Sequence, residues 1–128
     1  MRVDNQIKFI VINKNANSLH SLIADGQYRS TSLGRDTWKL LMSHLGSLQK
    51  NCNKEGFNAR STRQHNNKDM SKARIGILGN NENDCRQCDS RIGFGTGGLH
   101  DNTNTCGNDA TFSSADKHIK AMGYVLVQ

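Results

Sequence analysis

Residues 75–108 read IGILGNNENDCRQCDSRIGFGTGGLHDNTNTCGN, and this stretch constrains the structure more than any other. It holds three of the four cysteines and seven of the twelve glycines, together with many Asn and Asp residues. Chains use such a mixture where irregular backbone is fixed by a disulfide or a metal and presents oxygens or amides to a ligand. We therefore expect the functional site here.

The rest of the chain offers a thin hydrophobic core. Only 34% of the 128 residues are apolar, and Phe, Tyr and Trp together number seven. The mean hydropathy is -0.69. A chain of this length fits one domain, but disulfides, a metal, a partner or further sequence must supplement so small a core. We expect residues 1–128 to be a single, incomplete domain.

Three segments outside this stretch predict strands, and a fourth predicts a helix. Residues 7–13 and 119–127 are apolar on both faces, which is typical of buried strands. Residues 18–24 predict a shorter strand. Between residues 35 and 45, Trp38, Leu41, Met42 and Leu45 recur at helical spacing, and Gly46 follows as the expected stop.

Between residues 51 and 72 the sequence lacks periodicity and predicts a long loop, with disorder over residues 61–70. Strands are predicted again over residues 73–78 and 90–95. The fold class is therefore α+β and β-rich, with one short helix and long irregular loops.

The net charge of +6 is concentrated in the loop, because five of the seventeen basic residues lie between residues 60 and 74. Residues 60–72 thus form a flexible basic loop that is either simply solvated or meets an anionic polymer or a mineral surface. We expect no nucleic-acid partner. No apolar run approaches the ~20 residues that span a bilayer, and the first residues do not resemble a signal peptide.

Familiar motifs fit poorly. Gly93, Gly95 and Gly98 match the spacing of a dinucleotide-binding loop, but the sequence after them does not favour the required helix. No hydrolase elbow or metalloprotease helix is present in the sequence. The glycines are better explained by close backbone approach or positive φ beside a site. The sequence nominates no catalytic residue and no organic cofactor, and we expect no enzyme.

The cysteines allow several interpretations. Cys52, Cys85, Cys88 and Cys106 suit disulfides in an oxidising compartment, and sequence does not choose among the three possible pairings. Alternatively, Cys85, Cys88, Cys106 and His100 supply four ligands for zinc in an intracellular module. A redox-active Cys-x-x-Cys pair is a further alternative, although no helix is predicted to activate it.

Oxygen ligands for calcium are also concentrated in this stretch. Asp84, Asp89 and Asp101, with nearby Asn side chains, offer the hard oxygens that Ca²⁺ prefers, although the spacing is not that of an EF-hand. The alternative is an Asn-rich turn that hydrogen-bonds its own backbone.

Long strings of the chain carry a family resemblance: FIVINKNANSLHSLIADGQYRSTSLGRDTWK, SLQKNCNKEGFNA, ARIGILGNNENDC, CDSRIGFGTGG, NTCGN and DKHIKAMGYVLVQ. They resemble the C-terminal part of cnidarian fibrinogen-related extracellular proteins, especially the skeletal organic matrix proteins of stony corals. More remotely, the chain is similar to the intelectin lectins. The resemblance implies a secreted, disulfide-bonded, non-enzymatic domain that binds carbohydrate or extracellular matrix, or serves as a structural component of that matrix.

The same resemblance implies a site. In the intelectin-like lectins, a calcium ion beside the glycine-rich run binds vicinal hydroxyls of a sugar. By position, Asp84, Asp89 and Asp101 would be the metal ligands here. The ligand-binding residues would be Gly95, Gly97, Gly98 and His100.

Overall fold

The computed structural model describes residues 1–3, 5–42, 48–65, 68–69, 71–98, 107–109, 117–119 and 121–128, with the backbone alone for 64–65, 68–69, 107–109 and 117–119. It contains ten strands and two helices in these ranges. They are β1 (Arg2–Val3), β2 (Gln6–Ile7), α1 (Leu19–Ile23), β3 (Arg29–Ser30), α2 (Arg35–Leu40), β4 (Asn51–Arg60), β5 (Gln64–His65), β6 (Lys68–Asp69), β7 (Lys72–Asn80), β8 (Ser90–Phe94), β9 (Gly107–Asp109) and β10 (Lys117–Ile119).

An antiparallel six-stranded sheet organises the chain, in the order β10-β9-β8-β7-β4-β3. The two longest strands, β4 and β7, lie next to each other. Two further sheets have two strands each, β1 with β2 and β5 with β6. The prediction of a β-rich α+β fold is therefore confirmed.

The sheet separates two hydrophobic clusters. Ile77 belongs to the larger cluster, which includes Trp38 and Met42 from the α2 region, whereas the neighbouring Leu78 belongs to a smaller cluster with Cys88. Successive side chains of a strand point to opposite faces. The helices thus cover one face of β7, and the cysteines lie on the other.

A buried carboxylate connects α2 to β4. Glu55 is 9% exposed and accepts hydrogen bonds from four donors: Thr31 Oγ1 at 2.6 Å, Leu33 N at 2.9 Å, Gly34 N at 2.8 Å and Trp38 Nε1 at 2.8 Å. Burial alone would raise the pKa of Glu55, but these hydrogen bonds lower it below its ordinary value. The carboxylate is therefore charged in the folded protein at neutral pH.

A row of glycines crosses the three central strands. Gly56, Gly76 and Gly93 are paired in register across β4, β7 and β8. A Cβ atom on Gly76 would overlap the carbonyl oxygen of Ile92. Glycine is needed in this row because the neighbouring backbone leaves no room for a side chain.

Several predicted boundaries were wrong. Of the predicted 7–13 strand, only Ile7 is strand, at the end of β2, and Phe9 and Val11 beyond it are exposed. Residues 18–24 contain α1, where the backbone N–H of Ser21 donates to Ser18 Oγ, instead of a strand. The chain accordingly has a second helix that was not predicted.

The predicted loop from residue 51 and the predicted last strand were also wrong in part. Residues 51–60 form β4, and the described part of 60–72 includes β5 and β6. The flexibility of that segment stays a prediction. Of the predicted 119–127 strand, only Ile119 belongs to a strand, β10, among the residues described, and Met122 makes an isolated bridge to Arg2.

The predictions of two strands and of the start of a helix were confirmed. The strands over 73–78 and 90–95 correspond to β7 and β8. The helix predicted over residues 35–45 is α2, which begins at Arg35 but ends at Leu40, earlier than predicted. Trp38, Leu41 and Met42 are buried as predicted. Leu45 and Gly46 lie outside the described residues.

Candidate functional site

The cysteine cluster, consisting of Cys52, Cys85 and Cys88, lies where β4 meets the loop before β8. A disulfide joins Cys52 to Cys85 across 33 residues of sequence, and Cys88 is a free thiol. The Cys88 sulfur lies 3.4 Å from that of Cys52, and all three sulfurs lie within 4.8 Å of one another. Cys106, the fourth predicted disulfide candidate, lies outside the described residues.

The local backbone of β4 brings Cys52 to the cluster. The register between β4 and β7 shifts between Cys52 and Lys54, and both Cys52 and Asn53 have positive φ, at 69° and 53°. Such a bulge redirects the side chains of a strand. Cys52 consequently reaches the 81–89 loop instead of following the ordinary alternation of β4.

Cys88 is enclosed. Its side chain is 0% exposed and packs with Ala59, Ala73 and Leu78. Its backbone N–H donates to Ser61 Oγ at 3.0 Å, and its thiol lies 3.6 Å from the carbonyl oxygen of Cys85. Burial raises the pKa of the Cys88 thiol to about 11, so the group is protonated at neutral pH.

A buried polar network adjoins the backbone of Cys88. Arg91 and Ser71 are both 0% exposed, and Arg91 Nη1 donates to Ser71 Oγ at 3.0 Å. The backbone N–H of Ser61 donates to the carbonyl oxygen of Ser71, whose own N–H donates to that of Cys88. The backbone of Cys88 is thereby hydrogen-bonded to Ser61 and Ser71, and Arg91 in turn bonds Ser71.

Sequence reasoning did not identify this network. Arg91 lies in a segment that predicts an apolar strand, and isolated serines carry no signal of burial. The one available signal was Arg91 itself, because a charged residue inside an otherwise apolar strand predicts a buried polar partner.

Of the predicted calcium ligands, Asp84 has an evident partner. Its Oδ1 accepts from Arg86 N at 2.8 Å, and its Oδ2 lies 2.7 Å from both Arg86 Nε and Nη2. Backbone and side-chain hydrogen bonds from Arg86 lower the pKa of Asp84. A cation at Asp84 must therefore compete with the Arg86 guanidinium.

The other two predicted metal ligands are placed differently. Asp89 is 8% exposed and lies between the buried residues Cys88 and Ser90. Asp101 lies outside the described residues. Within the described ranges, the cysteine cluster is the one group of three or more Cys, His, Asp or Glu side chains close enough to share an ion.

The predicted ligand-binding glycines pack against the start of β7. Gly97 exchanges two backbone hydrogen bonds with Lys72, at 2.9 and 3.0 Å, and the carbonyl oxygen of Gly95 accepts from Arg74 N. Gly95 is exposed, whereas Gly97 and Gly98 are buried. Gly95 and Gly98 have positive φ, at 61° and 101°, as the sequence suggested. His100 lies outside the described residues.

The first half of the 81–89 loop is fixed to the sheet by two Asn side chains. Asn51 Nδ2 donates to the carbonyl oxygen of Asn81 at 2.7 Å, and Asn80 Nδ2 donates to that of Asp84 at 2.6 Å. With the disulfide, these bonds attach the loop firmly to the sheet while Glu82 and Asn83 remain exposed. The arrangement suits presentation of polar groups on a rigid support.

Comparison of the chain with protein-family models, with curated proteins and with solved structures found no match. In the described part of the chain, neither helix has the length and apolar character that crossing a bilayer demands.

Proposed function

We propose that this chain is a non-enzymatic extracellular binding domain. The observation that carries the proposal is the Cys52–Cys85 disulfide, which fastens the oxygen-rich 81–89 loop to β4. Structural disulfides form and persist in oxidising environments such as the extracellular space. A loop fixed in this way binds a partner with little loss of conformational entropy.

Carbohydrate or extracellular matrix is the partner that we propose. The resemblance of the chain to cnidarian fibrinogen-related proteins supports this choice, and the β-rich α+β fold is compatible with it. We propose that the fold is that of a fibrinogen-related domain.

Calcium is the ion we propose for recognition, with Asp84, Asp89 and Asp101 as ligands. A hard cation with open coordination positions chelates a diol, and the exposed Gly95 would allow a sugar to approach the backbone. Arg86 would have to leave the Asp84 carboxylate when the ion binds.

Retention of the full chain on immobilised glycans, with calcium or with a chelator, tests this function. We expect retention only with calcium, and we expect Asp101→Ala to abolish it without changing the far-UV circular dichroism. Glu82→Gln is the matched control, because it removes an exposed carboxylate from the same region that is not a proposed ligand. Retention of Asp101→Ala with the same calcium dependence would refute the assignment of the site.

A second candidate is a structural component of an extracellular matrix. The exposed apolar side chains of the terminal segments favour it, because Phe9 is 80% exposed and Leu126 is 89% exposed. Exposed apolar surface is typical of regions that associate with neighbours. The basic residues offer a second route to the same role. Binding to a sulfated polymer or a mineral that weakens as salt is added and does not depend on calcium would support it.

A zinc-binding intracellular module is the third candidate. The described sulfurs favour a different ligand set from the sequence prediction, since Cys52 joins Cys85 and Cys88. The disulfide would have to be reduced before its sulfurs could bind a metal. Stoichiometric zinc with all thiols reduced, in protein from its native source, would favour this candidate.

A further inference from the structure

The free thiol of Cys88 lies beside the Cys52–Cys85 disulfide. Its sulfur is 3.4 Å from the Cys52 sulfur, close to the sum of two sulfur van der Waals radii. All three sulfurs lie within 4.8 Å of one another. The Cys88 sulfur thus lies to the side of the Cys52–Cys85 bond, and exchange requires the Cys88 side chain to move into line with that bond.

The positions of the two outer cysteines differ in access to solvent. Cys88 is 0% exposed, whereas Cys85 is half-buried and stands beside the exposed Arg86. Cys85 and Cys88 belong to the same short loop, so either of them is able to bridge to Cys52. Both alternative bridges would keep the loop attached to β4.

We propose that the cysteine cluster is a thiol–disulfide exchange centre that moves the free thiol from buried Cys88 to accessible Cys85. When a local movement of the 81–89 loop admits water, the Cys88 thiol gives its proton to that water, and its sulfur attacks Cys52 Sγ. The Cys52–Cys88 bond forms while the Cys52–Cys85 bond breaks, and Cys85 leaves as a thiolate. No net oxidation or reduction occurs, so the step needs no external oxidant.

The liberated Cys85 is a site for covalent modification by a small disulfide. Its thiolate attacks one sulfur of the small disulfide, forms a mixed disulfide at Cys85 and releases the other half as a thiolate. Cys52 and Cys88 stay bridged, so the sheet need not open. This inference does not depend on the ligand of the proposed binding function, and either of the two proposals survives the failure of the other.

Oxidised glutathione is the probe for this exchange. The full-length folded chain is incubated with it, quenched with acid, and its remaining thiols are blocked with N-ethylmaleimide in denaturant at acidic pH. Trypsin cleaves after Arg86 and so separates Cys85, in peptide 75–86, from Cys88, in peptide 87–91. We expect glutathione on Cys85 together with a bridge between Cys52 and Cys88.

Two variants control the assignment. Cys88→Ala should lose the modification of Cys85 completely and keep the Cys52–Cys85 bridge. Cys85→Ser should fold with a Cys52–Cys88 bridge, which tests the product state even if Cys88→Ala fails to fold. The proposal is overturned if glutathione appears on Cys88 with the original bridge intact, if Cys88 is found bridged to Cys106, or if Cys85 stays unmodified in the folded wild type.

Discussion

The Glu55 carboxylate is a single buried charge on which the packing of α2 depends. Its four donors come from the segment after β3 and from α2. One side chain of β4 therefore fixes the position of that segment and of α2. Hydrogen bonds to charged groups are stronger than those between neutral groups. Their loss would leave the buried Trp38 Nε1 and three partly buried donors without a charged partner.

Glu55→Gln should destabilise the fold by about 3 kcal/mol, because the amide keeps the shape of the side chain but replaces one acceptor oxygen with a donor. Urea unfolding followed by the fluorescence of Trp38, the one tryptophan of the chain, measures the change. The exposed Glu82→Gln is the control and should alter stability by no more than about 0.5 kcal/mol. Equal effects of the two changes would contradict this role of Glu55.

The same carboxylate should make stability depend on acid. Its pKa is lowered on folding from an ordinary value of 4.5, so its contribution is fully present above pH 4.5 and is lost as pH falls through the folded-state pKa. The stability difference between wild type and Glu55→Gln should therefore be constant from pH 7 down to about pH 5 and shrink below that. Unfolding curves of both proteins between pH 7 and pH 3 measure it, and a difference that grows in acid would show the opposite sign.

At the scale of elements, the glycine row controls how closely the strands approach. Gly76 on β7 has an ordinary strand backbone, yet any side chain there would overlap the carbonyl oxygen of Ile92. Gly26 is the converse case, because its φ is +72° but nothing lies within 4 Å of its potential Cβ. The two positions separate the effect of crowding from the effect of backbone conformation.

Gly76→Ala should cost about 3 kcal/mol or more, since neighbouring backbone has to move. Gly26→Ala should cost only about 1 kcal/mol, the penalty for a side chain at positive φ. Thermal and urea unfolding of the two variants provide the comparison. A milder effect at Gly76 than at Gly26 would mean that the strands adjust easily.

The sequence predicted some elements because their burial is visible in composition. Ile75, Ile77 and Ile92 are apolar, β-branched and buried, which is why β7 and β8 were identified. By contrast, β4 contains no β-branched residue. Its extended conformation comes from pairing with β3 and β7, and single-sequence patterns do not contain that tertiary context.

The secondary structure of the short segments was predicted wrongly for a different reason. The helix α1 has five residues, too few for a helical period to be distinguished from a strand. Its capping box uses Ser18 and Ser21, whereas the familiar signal has Glu or Gln in the second position. At the candidate site, the sequence nominated the cysteines, but their pairing depends on the bulge at Cys52, which the sequence did not predict.

At the scale of the whole molecule, both terminal segments leave large apolar side chains in water. Residues 8–12 are irregular, with Ile10 and Ile12 packed against the core and Phe9 and Val11 exposed. Leu126, near the C-terminal end, is also exposed. These side chains therefore add little to folding and much to the tendency to associate.

The double change Phe9→Ser with Leu126→Ser should leave the free energy of unfolding within about 0.5 kcal/mol of wild type, because neither side chain is buried. It should weaken concentration-dependent self-association, which sedimentation velocity measures. Phe57→Ser is the contrasting control, since Phe57 is 4% exposed and its loss should cost about 3–5 kcal/mol. Unchanged self-association in the double variant would show that Phe9 and Leu126 do not form the contact between associating molecules.

The bridge between Cys52 and Cys85 also determines how the molecule responds to mechanical tension. When Met1 and Gln128 are pulled apart, the segment between Cys52 and Cys85, a sequence separation of 33, is bypassed by the pulling force. At about 3.3–3.6 Å per residue, roughly 110 Å of length is withheld from the stretched chain. Optical tweezers should record that extra extension only after a reductant is added, so chemical reduction would convert a short, stiff tether into a longer and more compliant one.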